Sequence, residues 1–112
     1  MTGSVLHNLT KLLDAGRDDA LTRFALGNEY LKANDAANAA AHLRAAVRHD
    51  PAYSAAWKLL GRALEQGGEL ADALEAYREG ARVAEARGDK QAAKEMTVFA
   101  RRIEKQLEGR ER

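Results

Sequence analysis

Few residues of this chain have the types and spacing that chemistry needs. Its imidazoles are His7, His42 and His49. The seven-residue step from His42 to His49 is about two helical turns, roughly 10 Å of rise, too far to share one metal ion without a third ligand between them. The chain has no cysteine, which removes thiolate metal sites and disulfides. Gly67-Gly68 lacks the spacing, and the following Lys-Ser or Lys-Thr, of a phosphate-binding loop. No nucleophile, base and orienting group fall into a recognisable set. The expectation is a protein that is not an enzyme and that holds no cofactor and no metal.

Charged residues offer recognition instead. Lys58 and Arg62 stand four apart, so on a helix they share one side and repel by a few tenths of a kcal/mol. An anionic partner would relieve that repulsion. Glu65, three residues beyond Arg62, is an internal counter-charge that could do the same as an ordinary surface ion pair, worth about 0 to 1 kcal/mol. Near the C-terminus, Lys90, Lys94, Arg101, Arg102 and Lys105 alternate with Glu95, Glu104 and Glu108, the pattern of a solvated helix face. Lys plus Arg number 18 against 17 Asp plus Glu, so no whole-molecule field favours nucleic acid or an acidic membrane. Residues Met1 to Ser4 are too short and polar for a secretory leader, and no apolar run approaches the roughly 18 residues of a membrane span. A cytoplasmic protein without a membrane partner is expected.

The elements that must position these groups follow from an internal repeat. Ala20 to Tyr53 laid on Ser54 to Arg87 gives seven identities: Leu26/Leu60, Gly27/Gly61, Ala37/Ala71, Ala39/Ala73, Arg44/Arg78, Arg48/Arg82 and Ala52/Ala86. Small residues recur where two helices must approach and large ones where space must be filled. Each unit reads as two helices joined by a tight turn. The first has Leu26-Gly27 and Tyr30, a turn at Asn34-Asp35, then Ala39, Leu43 and Ala46. The second has Trp57, Leu60-Gly61 and Leu64, a turn at Gly67-Gly68, then Ala73, Tyr77 and Gly80. Steps of three and four put each set on one face, which assigns Trp57, Tyr30, Tyr77 and Phe99 to packing. Gly27 and Gly61 are read as close-crossing points, since Gly inside a helix costs about 1 kcal/mol relative to Ala and needs a reason. Asp50 is read as the cap of the next helix, with Pro51 at its first turn.

Trp57, Leu60, Gly61, Ala73, Tyr77 and Gly80, with Pro51 before them, resemble the tetratricopeptide repeat pattern. The resemblance covers Ala20 to Arg87 and implies an all-α solenoid of two helix-turn-helix repeats, 20–53 and 54–87. It departs where Arg23 replaces the usual aromatic, with Phe24 beside it to fill that role or face the groove, and where Glu85 replaces the second closing proline. In this family the first helices of the repeats line a concave ligand face. That maps to Leu21, Phe24, Asn28, Leu31 and Lys32 in one repeat, and to Ala55, Lys58, Arg62, Glu65 and Gln66 in the other. The two-carboxylate clamp of the chaperone-tail-binding members is not implied: Phe24 and Leu59 stand where it has Lys and Asn, and Asn28 alone matches.

The repeats are flanked by helices. Val5, Leu9 and Leu12 repeat the phase of a second helix, so residues 4–15 should cover the first repeat until Ala15-Gly16 ends them. Helix A of that repeat should start at Asp18. From Asp89, a stripe through Ala92, Ala93, Met96, Phe99, Ala100, Ile103 and Leu107 predicts a capping helix over 89–108. Its phase is shifted by one residue and puts Met96 near a repeat's glycine position, which would prevent a further helix from packing closely. Val98 has no assigned place, and 109–112 reads as a tail. Helices are predicted near 4–15, 18–32, 36–49, 52–66, 69–87 and 89–108. The family resemblance implies a protein-interaction or scaffolding module that binds a peptide segment or partner helix in the groove. The alternative is a structural subunit that self-associates through an exposed helix edge, and a monomer or weak homodimer is expected.

Overall fold

The computed structural model describes residues 2–111, with side chains described from Val5 to Arg110. The described residues form six α-helices and no strand: α1 Thr2–Asp14, α2 Ala20–Lys32, α3 Ala36–His49, α4 Ser54–Gln66, α5 Leu70–Ala86 and α6 Lys90–Glu111. Chain neighbours pack in order, and α2 also touches α4. The result is two layers measuring 47 × 32 × 22 Å overall, with α2, α4 and α6 in the inner layer and α3 and α5 in the outer.

Turn chemistry ends the helices. Asn34 takes φ of +59° and Gly68 of +79°, the left-handed conformation the sequence anticipated at both turns. Each closes with a 2.9 Å backbone bond from the next residue back into the helix, Asp35 to Tyr30 and Glu69 to Leu64. Asp35 then caps α3 by accepting from the Asn38 N–H at 3.2 Å. The helix that opens the first repeat starts later than the predicted 18, because Asp19 and not Asp18 caps α2, its carboxylate accepting from Thr22 N–H at 2.7 Å. Asp50 caps no following helix either. It closes α3 and accepts from Ala52 N–H at 3.1 Å, and α4 begins at Ser54 without a side-chain cap. Residues 109–111 continue α6 instead of fraying, and Arg112 lies outside the described residues.

The close crossings sit where the glycines are. A Cβ on Gly27 would lie 2.7 Å from the Leu43 Cδ2, and one on Gly61 would lie 2.5 to 2.7 Å from three ring carbons of Tyr77. Leu26, Leu43, Met96 and Ile103 are the large side chains sealed from solvent. Met96 corrects the expectation for the cap. Its sulfur lies against Gly80, so it fills the α5–α6 crossing and is not held back to keep a further helix away. Cover at the other end is partial, since Val5 and Leu12 of α1 remain 42% and 39% exposed.

Where Arg23 replaces an aromatic, charge takes over the ring's work. In the second repeat Trp57 Nε1 donates to the Pro51 carbonyl at 2.8 Å, tying helix to incoming loop. In the first, the Arg23 guanidinium donates to both Asp18 oxygens at 2.7 and 2.9 Å and reaches His42 Nδ1 at 3.1 Å. His49 Nε2 also lies 2.9 Å from Asp18, and His42 stacks on Tyr30 with centroids 5.3 Å apart. Two of the three histidines are thus structural cross-links, and among the described residues no group of three or more His or carboxylates could hold a metal. Phe24 packs on Tyr53 at 4.8 Å between centroids, filling space beside Arg23.

Candidate functional site

The inner layer brings together most of the residues the groove prediction named. On α2, Leu21 is 61% exposed, the largest exposure among the large apolar side chains described, and Asn28 and Phe24 are half-buried along the same face. Leu31 does not belong there. At 8% exposure it is a core residue, because its position turns it toward α3 and α4 and away from solvent.

On α4 the charges are distributed differently from the simple basic pair. Lys58 Nζ donates to Glu95 of α6 at 3.1 Å. Glu65 does not neutralise Arg62. It accepts from the Tyr77 hydroxyl at 2.9 Å and from Arg102 of α6 at 2.8 and 2.9 Å. Arg62 is therefore left exposed, with no carboxylate within 4.0 Å among the described residues, beside an open depression of about 320 Å³ that it forms with Glu65 and Gln66. Burial, and then the hydrogen bond to Glu65, push the Tyr77 phenol far above its ordinary value. The phenol stays neutral and keeps donating, which fixes Glu65 in place.

The sequence reading missed what α6 adds to this face. Glu95, Phe99 and Arg102 sit at steps of four and three: Glu95 and Arg102 reach α4 through Lys58 and Glu65, and Phe99 packs on Tyr77 of α5 at 5.3 Å while Arg102 lies 5.3 Å from the Phe99 centroid. Their spacing was visible, but α6 was read as a cap with a solvated polar side. Besides closing the stack, it supplies a third helix of the inner layer.

Chemically this face offers groups suited to binding. It has one guanidinium without a carboxylate partner among the described residues, an exposed leucine and an amide, with the carboxylates of Glu65 and Glu95 engaged by cations. A tetratricopeptide repeat family model matches residues 24–90, more than half of the chain. The chain is 50% identical over 101 residues to the TPR repeat-containing protein PA0015 of Pseudomonas aeruginosa, covering 90% of this chain and 96% of that one. Its fold is similar to the solution structure of protein BPP2914 of Bordetella parapertussis, with a TM-score of 0.77 at 41% identity, over 91% of this chain and 89% of that one. It is also similar to a tetratricopeptide repeat domain protein of Salinibacter ruber, with a TM-score of 0.71 at 31% identity, covering 78% and 88% of the two chains. Domains of this kind generally mediate protein–protein contacts. With its two glycine crossings, its stacked helix pairs and these relatives, the chain belongs to the tetratricopeptide repeat family.

Proposed function

We propose that the chain is a binding module, not a catalyst, whose inner layer holds an acidic peptide segment or partner helix. The observation that carries this reading is an exposed Leu21 on α2 together with an Arg62 on the neighbouring α4 that has no carboxylate partner among the described residues. A carboxylate on Arg62 makes a charge-assisted contact, and an apolar side chain on Leu21 removes the largest exposed apolar group described. Two repeats offer little area, so affinity on the order of micromolar or weaker is expected. Lys58 contributes when it exchanges Glu95 for the ligand, which lowers its net gain.

Isothermal titration with an acidic peptide tests this. Binding should fade as salt rises, and Lys58→Glu with Arg62→Glu should abolish it with helicity intact. Equal binding by the double variant would remove the inner face from consideration. The rival reading, self-association through a helix edge, draws on Val98, which is 59% exposed on α6.

A further inference from the structure

Four of the seven identities between the repeats lie outside the buried core: Ala37/Ala71 and Ala52/Ala86, which are exposed alanines, and two arginine pairs. Leu26/Leu60, Gly27/Gly61 and Ala39/Ala73 are buried, whereas Arg48, Arg78 and Arg82 are exposed and Arg44 is partly so. No helix crossing requires Arg44/Arg78 and Arg48/Arg82. The structure gathers all four arginines around one cleft of about 730 Å³ on the outer layer, between α3 and α5 and above α4.

The floor of that cleft is apolar: Val47, Leu60, Leu64, Ala76 and the half-buried Trp57. Arg44 and Arg48 form the α3 wall, and the α5 wall carries Asp72, Glu75, Glu79 and Arg82. Much of this charge is internally matched. Arg44 reaches Asp72 across the cleft at 3.4 Å and closes one end, Arg82 holds Glu79, and Arg78 is drawn to Glu104 of α6 at 3.1 Å. Glu75 is the acid left over on the α5 wall. Arg48 has no carboxylate within 4.0 Å among the described residues, and it lines the same cleft as Trp57 and its repeat counterpart Arg82. The apolar floor beside the unpaired Arg48 of the α3 wall is complementary to a large apolar side chain next to a carboxylate, because a guanidinium's planar fork binds carboxylate oxygens in pairs. Tryptophan and arginine are also the residues that most often dominate binding at protein interfaces.

We infer that this cleft is a second docking site, on the layer opposite the inner face, for a partner protein segment that seats an aromatic or aliphatic side chain over Trp57 and a carboxylate against Arg48, which Arg82 joins by exchanging Glu79 for the guest. With a guest on each layer the module joins two partners, and its size becomes an advantage because the two guests lie only one helix pair apart. The proposal stands apart from binding at Leu21 and Arg62, since the two faces share no residue.

The chain's single tryptophan is in the cleft floor, so its fluorescence reports occupancy there. The probe is a synthetic peptide with a central phenylalanine flanked by aspartates, titrated into the full chain. A saturable change in Trp57 emission is expected. It should weaken by about tenfold or more when the aspartates become asparagines, when the phenylalanine becomes alanine, or in the Arg48→Glu, Arg82→Glu protein. Arg62→Glu should leave the signal unchanged. Arg48→Gln with Arg82→Gln, which adds no new charge, should weaken it in the same direction, and circular dichroism checks that each variant keeps its helices. No saturable change at millimolar peptide, equal binding by the arginine variants, or loss of binding in Arg62→Glu would each overturn the proposal, the last by placing the peptide on the inner face.

Discussion

Gly61→Ala adds a single methyl group where α4 crosses α5. In an open helix this change stabilises by about 1 kcal/mol. Here the new Cβ would sit 2.5 to 2.7 Å from three ring carbons of Tyr77, a side chain only 2% exposed whose hydroxyl is anchored on Glu65 at 2.9 Å. Forcing the helices or the ring apart costs about 1 to 3 kcal/mol, and if the ring yields it also stretches a hydrogen bond to a carboxylate worth about 1.5 to 3 kcal/mol. The steric and hydrogen-bond losses exceed the propensity gain, so a net loss of about 1 to 3 kcal/mol is expected. At this length each kcal/mol moves the midpoint by about 3 to 6 °C. Thermal melts followed by circular dichroism should show the drop, with a larger one for Gly61→Leu. Gly109→Ala is the control, because a Cβ there meets nothing within 4 Å and should be neutral or slightly stabilising. A Gly61→Ala melting temperature equal to or above that of the parent would mean that the crossing is not tight.

Met96→Ala should be among the costliest single changes, about 2 to 5 kcal/mol in a urea melt, because a side chain with 0% exposure leaves a cavity against Gly80. Burial, then the positive charge of Arg23, hold the His42 imidazole below its usual value of 6.5. The fold thus favours neutral His42, so its contribution is full above pH 6.5 and lost as the pH falls from there through the lower folded value. Stability of the parent should decline over that range and that of His42→Gln should decline less, as followed by urea melts at stepped pH. Hydrogen bonds from Arg23 and then His49 hold the Asp18 carboxyl well below its usual 3.8, so its contribution is present above that value and lost as acid protonates it. Asp18→Asn should accordingly be less stable than the parent at neutral pH and show a flatter loss in acid. Light scattering across a wide concentration range should give a monomer or a weakly associating dimer. A stable dimer blocked by Val98→Glu would instead favour the structural-subunit reading.

What could be read in the sequence was what the backbone itself dictates. Asn34 and Gly68 announced the turns because the left-handed conformation admits few residues, and Gly27 and Gly61 announced the crossings because glycine inside a helix needs a reason. Side-chain partners across helices were harder, since one residue of phase is about 100° of rotation. Leu31 was placed on the groove by its repeat position, but its own rotation buries it. Glu65 was given to Arg62 because they are neighbours on α4, yet the partners it takes come from α5 and α6. Met96 was rightly placed on the packing stripe, but its contact with Gly80 of α5 was not foreseen, and Asp50 was read as a cap because Asp-Pro often begins a helix, where here it closes a turn.

Amide chemical-shift mapping of the full chain with an acidic peptide tests the central claim most directly, since it reads every face at once. The account predicts the largest shifts along α2 and α4, around Leu21, Phe24, Asn28 and Arg62, diminishing as salt is added. Shifts confined to the outer face of α6, around Lys94, Val98 and Arg101, or no shifts at millimolar peptide, would contradict it.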